Sequence, residues 1–291
     1  MFSKKIINFI KLGFWSLIIG MTITTCDYAD VENSGSSSFV LDVQIIDVGQ
    51  ADCTLIKMPD GQNMLIDAGN NSDGGYLVDY LENEGVEKID FLIGTHPHAD
   101  HIGGMDDIIE NFEIGKIYMP RVTSNTQTFE EVLQAIKDKG LKIETATAGK
   151  TVLEGEVFAQ FISPVGEYYE ELNDYSAVLK LTYGSKSFLF MGDAEALAEK
   201  EILQKFDVKS DVLKVGHHGS STSSHNAFLK AVNPEIAVIS VGEGNDYGHP
   251  HKSVLKRLEK IGTGLYRTDL NGTVKIYCDG TSIEVKCEKG E

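Results

Sequence analysis

Residues 95–101 hold the densest group of reactive side chains in the chain: His96, His98, Asp100 and His101 stand within six positions. Imidazole and carboxylate together are suitable ligands for zinc, manganese or iron. On an extended segment His96 and His98 point to the same side, whereas Asp100 and His101 turn toward a second position. The spacing therefore predicts a metal site with enough ligands for two ions.

The eight histidines of the chain fall in three places and avoid the rest of the sequence. They are His96, His98 and His101, then His217, His218 and His225, and finally His249 and His251. Histidines used for packing would be scattered, so this distribution argues against a polar loop that is rich in histidine by chance. Loops at the ends of several strands would bring such clusters together in one metal centre.

An apolar segment at residues 188–191 ends in Gly192-Asp193, directly before a predicted helix. Taken alone, Asp193 is best interpreted as the cap of that helix. A carboxylate at a strand end is also a good bridging ligand, and bridged metals lie about 3.5–4 Å apart. Because of the neighbouring histidine clusters, we predict that Asp193 bridges two metals.

Two further segments carry imidazoles at the ends of apolar strands. Glycines flank His217 and His218, which allows close approach of the backbone to a ligand. One of the two would bind metal and the other would contact substrate or protonate the leaving group. The sequence does not separate these roles; we assign His217 to the metal and His218 to catalysis, with His249 as a further ligand. We assign substrate contact to Lys214, Ser220, Asn173 and Tyr247.

The amino terminus differs from the rest of the chain. Three lysines precede a short apolar run and then small residues up to Cys26, which predicts a secretory signal over residues 1–26. The run is short for a spanning helix, so an uncleaved anchor is the weaker alternative. Cys26 stands where a bacterial lipoprotein cysteine would lie, and lipidation and its absence are equally compatible with the sequence. Residues 27–38 predict a flexible tether, and residues 39–291 the folded domain.

Composition restricts the partners. The net charge of −18 repels polyanions at long range and argues against non-specific, phosphate-driven binding of nucleic acid. A local metal site is still able to take a phosphodiester. Membrane contact is expected only through the signal or a lipid anchor, and no protein partner is predicted. We expect no disulfide between Cys278 and Cys287, because a two-residue turn at Asp279-Gly280 would place Cys278 opposite Thr281.

The elements that must position these residues alternate along the chain. Hydrophobic patterning predicts helices at residues 76–83, 106–111, 128–139, 194–205 and 253–260. It predicts strands at residues 39–48, 53–58, 63–66, 89–93, 116–119, 142–145, 156–162, 177–183, 187–191, 212–215, 236–241, 265–266, 273–277 and 282–285. Strand hairpins followed by mixed strands and helices predict two sheets between helical layers.

The motifs together resemble those of a known family. The segment at residues 96–101 matches the HxHxDH motif of the metallo-β-lactamase superfamily. Segments 47–52, 213–220, 245–250 and 268–274 are similar to the branch that contains the hydrolase domain of ComEC-type DNA-uptake proteins. Similar sequences occur in teichoic-acid phosphorylcholine esterases. The resemblance covers about residues 40–285, and it implies an αββα four-layer sandwich with a binuclear site at one edge.

The resemblance also implies a ligand set. His96 and His98 would hold one metal, Asp100 and His101 the second, and Asp193 would bridge them. Most members have another histidine between Asp100 and Asp193, but this chain has none from residue 102 to 216. Segments 163–164 and 173–176 stand there instead. His217 or His218 would complete the first shell and His249 the second; a single-metal enzyme is the alternative.

We therefore expect an exported, metal-dependent hydrolase that uses two divalent ions, zinc or manganese. A metal-bound hydroxide would attack a phosphodiester, and Asp100 would orient or deprotonate it. The expected substrate is nucleic acid or a wall polymer of the teichoic-acid type. The alternatives are a metal-dependent ester or lactam hydrolase and a non-catalytic surface binding protein on the same fold.

Overall fold

The computed structural model describes residues 40–290, which lie within one compact unit. The predicted signal, Cys26 and the tether lie outside the described residues. Fifteen strands are present in this part of the chain: β1 Leu41–Ile45, β2 Thr54–Lys57, β3 Asn63–Ile66, β4 Lys88–Ile93, β5 Glu113–Pro120, β6 Ile143–Ala146, β7 Thr151–Leu153, β8 Val157–Phe161, β9 Leu179–Tyr183, β10 Lys186–Phe190, β11 Val212–Lys214, β12 Ile236–Ile239, β13 Gly264–Arg267, β14 Val274–Cys278 and β15 Ile283–Cys287.

Eight α-helices connect the strands of residues 40–290. They are α1 Gly74–Asn83, α2 Ala99–Ile102, α3 Met105–Asn111, α4 Gln127–Asp138, α5 Ala196–Lys205, α6 Asn226–Val232, α7 Lys252–Ile261 and α8 Thr268–Asn271. Two short 3₁₀ turns, Leu172–Tyr175 and Gly216–Gly219, lie between them. Within this described part, no helix is both long and apolar enough to cross a bilayer.

The strands form two mixed sheets. The first has the order β15-β14-β1-β2-β3-β4-β5-β6, and the second β13-β12-β11-β10-β9-β8-β7. Strands β3 to β6 run parallel, as do β10 to β13. The carboxyl ends of parallel strands meet at one edge of a sheet, which is where α/β proteins place their ligands.

Three apolar layers hold the elements together. Leu41 and Ile276 from the first sheet pack with Leu179 and Phe188 from the second in a buried layer between the sheets. Helices α1, α3 and α4 cover the outer face of the first sheet. Helices α5, α6 and α7 cover the second. The predicted αββα four-layer sandwich is therefore confirmed.

Several local predictions needed revision. The predicted ranges have no counterpart for β7, α2, α6 and α8, which are short elements with weak periodicity. The turn after β14 is four residues long because Asp279 accepts hydrogen bonds from both Thr281 and Ser282. As a result Cys278 pairs with Ile283 and not with Thr281. The three cysteines in the described part of the chain are all free, as expected.

Candidate metal centre

Strand ends from both sheets supply the candidate site. Strand β4 leads into the histidine motif, β10 leads into Gly192-Asp193, and β11 leads into His217 and His218. Gly192 has a φ of +52°, and a Cβ there would stand 3.0 Å from the Thr95 side chain. The absence of a side chain at Gly192 thus lets the loops from the two sheets approach each other closely.

The first group of potential ligand atoms consists of Asp100, His101 and His218, whose side-chain atoms lie within 4.8 Å of one another. His218 Nε2 is 3.4 Å from Asp100 Oδ2, and His101 Nε2 is 4.0 Å from the same oxygen. Two imidazole nitrogens and a carboxylate in this arrangement are suitable for a transition-metal ion.

The second group consists of His96, His101 and Asp193. His101 Nε2 is 3.3 Å from Asp193 Oδ1, and His218 Nε2 is 3.8 Å from that oxygen. Asp193 therefore lies close to members of both groups, and a bridging role for its carboxylate stays a prediction. His98 lies beside this group, because its Nδ1 is 2.9 Å from His96 Nε2.

Hydrogen bonds to the Nδ1 atoms, on the side of the rings away from the site, fix the orientation of the imidazoles. The Nδ1 of His101 lies 2.8 Å from Asp67 Oδ2, and the Nδ1 of His218 lies 3.0 Å from the carbonyl oxygen of Ser240. A proton on each Nδ1 leaves each Nε2 with a free lone pair directed into the site. Such outer partners orient metal-binding histidines and set their tautomer.

Sequence reasoning missed Asp67 as a functional residue. The sequence did carry a signal, because Asp67 directly follows the apolar strand β3 and has a glycine nearby, much as Asp193 follows β10 beside Gly192. Thr95 donates to Asp67 through both its amide and its hydroxyl, at 2.7 Å each. Asp67 thereby links the start of the histidine motif to the ring of His101.

The buried polar atoms test whether a cation fits here. Among the described residues, His101 Nε2, His218 Nε2 and Asp193 Oδ1 are buried without a hydrogen-bond partner. Leaving buried polar atoms unpaired costs about 1–3 kcal/mol each. All three converge on the same point, and all three are good ligand atoms. The donor set therefore fits a divalent cation.

The electrostatics agree with this assignment. Burial would lower the pKa of His101, but the carboxylates of Asp193 and Asp67 raise it well above its ordinary value. Burial would raise the pKa of Asp193, but His101 and His218 hold it well below its ordinary range. Carboxylates that favour an imidazolium at this point also favour a metal cation.

Backbone strain is concentrated at the site. Asp67, His217 and His218 all have left-handed backbone conformations, with φ values of 59°, 50° and 49°. Non-glycine residues there cost about 1–3 kcal/mol each and persist where the surroundings hold them. The His217 amide donates to the carbonyl oxygen of Gly192 at 3.0 Å, which helps to hold the turn against β10.

A cleft of about 340 Å³ opens above the ligand atoms. Asn173, Tyr247 and His249, all predicted site residues, line it together with Gln50. The rings of Tyr247 and His249 stack at 5.6 Å with an interplanar angle of 22°. Burial, followed by the neighbouring imidazoles, lowers the pKa of His249 to about 4, so its ring is neutral at pH 7.

Two predicted substrate contacts are corrected. Lys214 is buried, and its ammonium group donates to Asp52 and to the carbonyl oxygen of Val215 at 3.3 Å. Ser220 is also buried, and its hydroxyl lies 3.0 Å from that of Thr222. Neither residue is among those that line the cleft.

The roles of the paired histidines are also revised. His218 groups with Asp100 and His101, in the place expected for His249. His217 lines the cleft, with its Nδ1 3.0 Å from Glu195 Oε1 and its Nε2 3.6 Å from Asp193 Oδ2. His249 belongs to neither group of ligand atoms. The consecutive left-handed residues turn the two neighbouring rings to different sides, which spacing alone does not reveal.

Comparison with known proteins places these features in a family. The family model of the metallo-beta-lactamase superfamily matches residues 46–243. The chain belongs to the metallo-beta-lactamase superfamily. Its fold binds divalent metals, often zinc, and the histidine and aspartate groups described above are the candidate sites in this member.

Curated relatives confirm the resemblance to competence proteins. The chain is 31% identical to ComE operon protein 3 of Bacillus subtilis over 252 residues, which covers 80% of this chain and 32% of that protein. It is 33% identical to Recombination protein 2 of Haemophilus influenzae over 250 residues, covering 84% and 30%. The chain thus spans about a third of the length of these relatives. It is a metallo-β-lactamase-fold hydrolase related to competence proteins.

Solved structures share the fold at low identity. The metallo-beta-lactamase fold protein YhfI from Bacillus subtilis has a TM-score of 0.55 and 12% identity, covering 81% of this chain and 99% of YhfI. CmlA from Streptomyces venezuelae, a diiron beta-hydroxylase, has a TM-score of 0.55 and 15% identity, covering 81% of this chain and 53% of CmlA. At these identities the likeness supports the fold alone.

Proposed function

We propose that this chain is an exported phosphodiesterase that depends on two divalent metal ions, zinc or manganese. The observation that carries the proposal is the convergence of His101 Nε2, His218 Nε2 and Asp193 Oδ1, buried and unpaired, on the floor of a polar cleft. In such a centre, bound metal ions activate water and stabilise the charge that develops on a phosphoryl group.

The chain's own residues supply the rest of the chemistry. Asp100 lies at the cleft floor, and although burial would raise its pKa, His101 and His218 lower it. An ionised carboxylate there accepts a hydrogen bond from the attacking water and fixes its orientation. His218 takes the ligand role, and His217 is the residue that protonates the leaving oxygen.

His217 is suited to that role because Glu195 orients it. The Nδ1 of His217 also lies 3.1 Å from the Thr222 hydroxyl, so the ring is held from its outer side. Its Nε2 faces the site, 3.6 Å from Asp193 Oδ2. A carboxylate behind an imidazole accepts a hydrogen bond from its Nδ1–H and stabilises the imidazolium, whose proton on the opposite nitrogen is then transferred to the leaving oxygen.

The cleft favours a substrate that carries a planar ring. Tyr247 is 68% exposed, and it extends the stacked surface that begins at His249. Stacking of a base on such a ring is worth about 1–3 kcal/mol. A nucleic-acid diester therefore fits the cleft better than a wall polymer of the teichoic-acid type. A relative named Competence protein ComA, from Neisseria gonorrhoeae, is consistent with this choice.

The test is hydrolysis by the purified full-length chain, with Zn²⁺ or Mn²⁺ added. Bis-p-nitrophenyl phosphate, a chromogenic ester and nitrocefin serve as the diester, ester and lactam substrates. We expect turnover of the diester, and its loss in Asp100→Asn by about 10²–10⁴-fold. Asp138→Asn is the matched control, because Asp138 is an exposed carboxylate on α4 that contacts only Gln134 in the described structure.

The other outcomes are equally informative. Ester or nitrocefin turnover without diester turnover would assign the site to acyl chemistry. Metal binding without turnover of any substrate would make the chain a binding protein on a hydrolase fold. Export is tested separately, by locating the processed chain in cell fractions and measuring the mass at Cys26.

A further inference from the structure

Arg121 directly follows β5, the strand next to the one that leads into the candidate metal centre. Strands β4, β5 and β6 are parallel neighbours, with Ile93 opposite Tyr118 and Pro120 opposite Ala146. The histidine motif follows β4, and Arg121 follows β5. Neighbouring strands lie about 4.8 Å apart, so Arg121 leaves the sheet at the same edge as the metal-binding motif.

A second cavity, of about 430 Å³, lies at Arg121. Thr145 and Thr147 from the end of β6 line it, and Glu167 and Tyr175 form part of its opposite side. Among the described residues, neither threonine side chain makes a hydrogen bond. The cavity therefore offers a guanidinium and two free hydroxyls as donors, with Glu167 as its single lining carboxylate.

This cavity and the metal cleft share a wall. The 3₁₀ turn Leu172–Tyr175 contributes Asn173 to the metal cleft and Tyr175 to the cavity at Arg121. Two residues of one short turn thus separate the two spaces. A chain-like substrate whose diester sits in the metal cleft would extend along this turn toward Arg121.

The guanidinium of Arg121 is uncommitted. The sequence contains three arginines. Arg257 donates to the carbonyl oxygens of Ser223 and Ser224, and Arg267 is paired with Asp269. Arg121 is exposed and has no hydrogen bond or ion pair within residues 40–290. In a chain with a net charge of −18, a free arginine at the site edge is available for an external anion.

The walls around Arg121 are already fixed. The Val122 amide donates to the carbonyl oxygen of Pro120 at 2.9 Å, which holds Arg121 in a tight turn. On the opposite side, the Tyr169 hydroxyl accepts from the Gly166 amide at 2.6 Å, and the Tyr169 amide donates to the Tyr175 hydroxyl at 3.0 Å. Walls held in place before binding reduce the entropy that a ligand must lose there.

From these observations we infer that the cavity at Arg121 binds a second anionic group of the substrate, the phosphate next to the one that is cleaved. A guanidinium binds phosphate oxygens through two parallel hydrogen bonds, and the threonine hydroxyls add donors. The Glu167 carboxylate repels the anion and limits the affinity of the cavity for it. The inference rests on the proposed function, because it names a second binding site for the same phosphodiester.

The kinetic test uses two substrates that differ by one phosphate. These are the p-nitrophenyl ester of thymidine 5′-monophosphate and the same compound with a 3′-phosphate. We expect the full-length chain with Mn²⁺ to prefer the 3′-phosphorylated compound in kcat/KM. Arg121→Gln should lower that preference by about tenfold, which corresponds to one hydrogen bond to a charged group. Glu167→Gln is the matched control: it removes a negative charge from the same cavity and should raise the preference for the 3′-phosphorylated compound.

The binding test needs no turnover. Because the chain has three arginines, its side-chain Nε–H spectrum contains three signals, and Arg121→Gln assigns one of them. In chelator-treated protein, we expect inorganic phosphate to shift the Arg121 signal saturably, with a dissociation constant on the order of millimolar. The signals of Arg257 and Arg267 should not move.

The two tests separate the inference from the proposed function. Hydrolysis of both substrates at equal kcat/KM, unchanged in Arg121→Gln, would overturn the second site and leave the phosphodiesterase. A saturable Arg121 shift without hydrolysis of either substrate would overturn the phosphodiesterase and support the anion site. An Arg121 signal that does not respond to phosphate would also overturn the anion site.

Discussion

Replacement of Lys214 by methionine tests how the floor of the site is held. The side chains of Lys214 and Asp52 are only 4% and 5% exposed, and the ammonium group donates directly to the carboxylate. Strand β11 is an interior strand of the second sheet, so water does not reach the pair. Methionine keeps the length and the apolar stem of lysine but takes the ammonium partner away from the buried Asp52 carboxylate. Within the described residues, only the ring nitrogens of His101 and His218 then remain near that carboxylate, at 3.8 and 3.5 Å.

The expected cost follows from that burial. Removing one member of a buried ion pair destabilises a protein by about 3–5 kcal/mol. In a domain of this size, each kcal/mol lowers Tm by about 2–4 °C. Lys214→Met should therefore lower Tm by about 6–20 °C. Combining it with Asp52→Asn should recover most of the loss, because the amide carries no charge.

Urea unfolding of the chelator-treated variants gives these free energies without a contribution from bound metal. Lys209→Met is the control, because Lys209 is exposed, and it should change stability by less than about 0.5 kcal/mol. A loss below about 1 kcal/mol in Lys214→Met would refute the buried-pair argument. So would normal stability together with a raised KM, which would return Lys214 to substrate contact.

Three further predictions address the metal centre, a helix cap and a charged pair. Asp193→Ala should reduce the bound metal, measured by elemental analysis, as well as the rate of hydrolysis, because Asp193 lies close to both ligand groups. Full metal content in that variant would leave Asp193 without a bridging role. Thr126→Ala should destabilise the chain by about 1 kcal/mol in urea unfolding, because its hydroxyl caps α4. Burial would raise the pKa of Glu84, but hydrogen bonds from Lys275 and Gln44 lower it. The ionised carboxylate therefore stabilises the fold above pH about 4.5, and this stabilisation is lost as pH falls through the lowered pKa. Glu84→Gln should cost about 0.5–1 kcal/mol at pH 7 and nothing near pH 2, where unfolding curves of the variant and the parent chain should coincide.

Local patterns predicted most of the regular elements. Segments such as 89–93 and 187–191 are mostly apolar and only five residues long, which favours a buried strand over a helix. The structure begins β5 at Glu113, three residues before the predicted start, because the polar residues Glu113 and Lys116 still pair with β4. Pairing with a neighbouring strand carries no signal in the strand's own sequence, which is why its ends were misplaced.

For the candidate site too, the sequence predicted some features and left others to the tertiary structure. The sequence identified the histidine motif, Asp193 and the cleft residues Asn173 and Tyr247, because each carries reactive atoms at the end of an element. It did not separate His217 from His218, since the assignment depends on two left-handed residues within one turn.

Lys214 was misplaced for a related reason. Its sequence neighbours indicate a strand end, but only the fold places Asp52 against its ammonium group, from a segment 162 residues away.

The sequence by itself determined the architecture and the residue types of the candidate centre: that histidines and aspartates gather at strand ends, and that strands and helices alternate to form a layered sandwich. These follow from residue type and from periodicity, which are local properties. Only the tertiary structure decided which nitrogen of each imidazole faces the site, which carboxylates lie behind them, and which cations are buried or free. Those properties depend on contacts between segments far apart in the chain, because two sheets must pack before their strand ends meet.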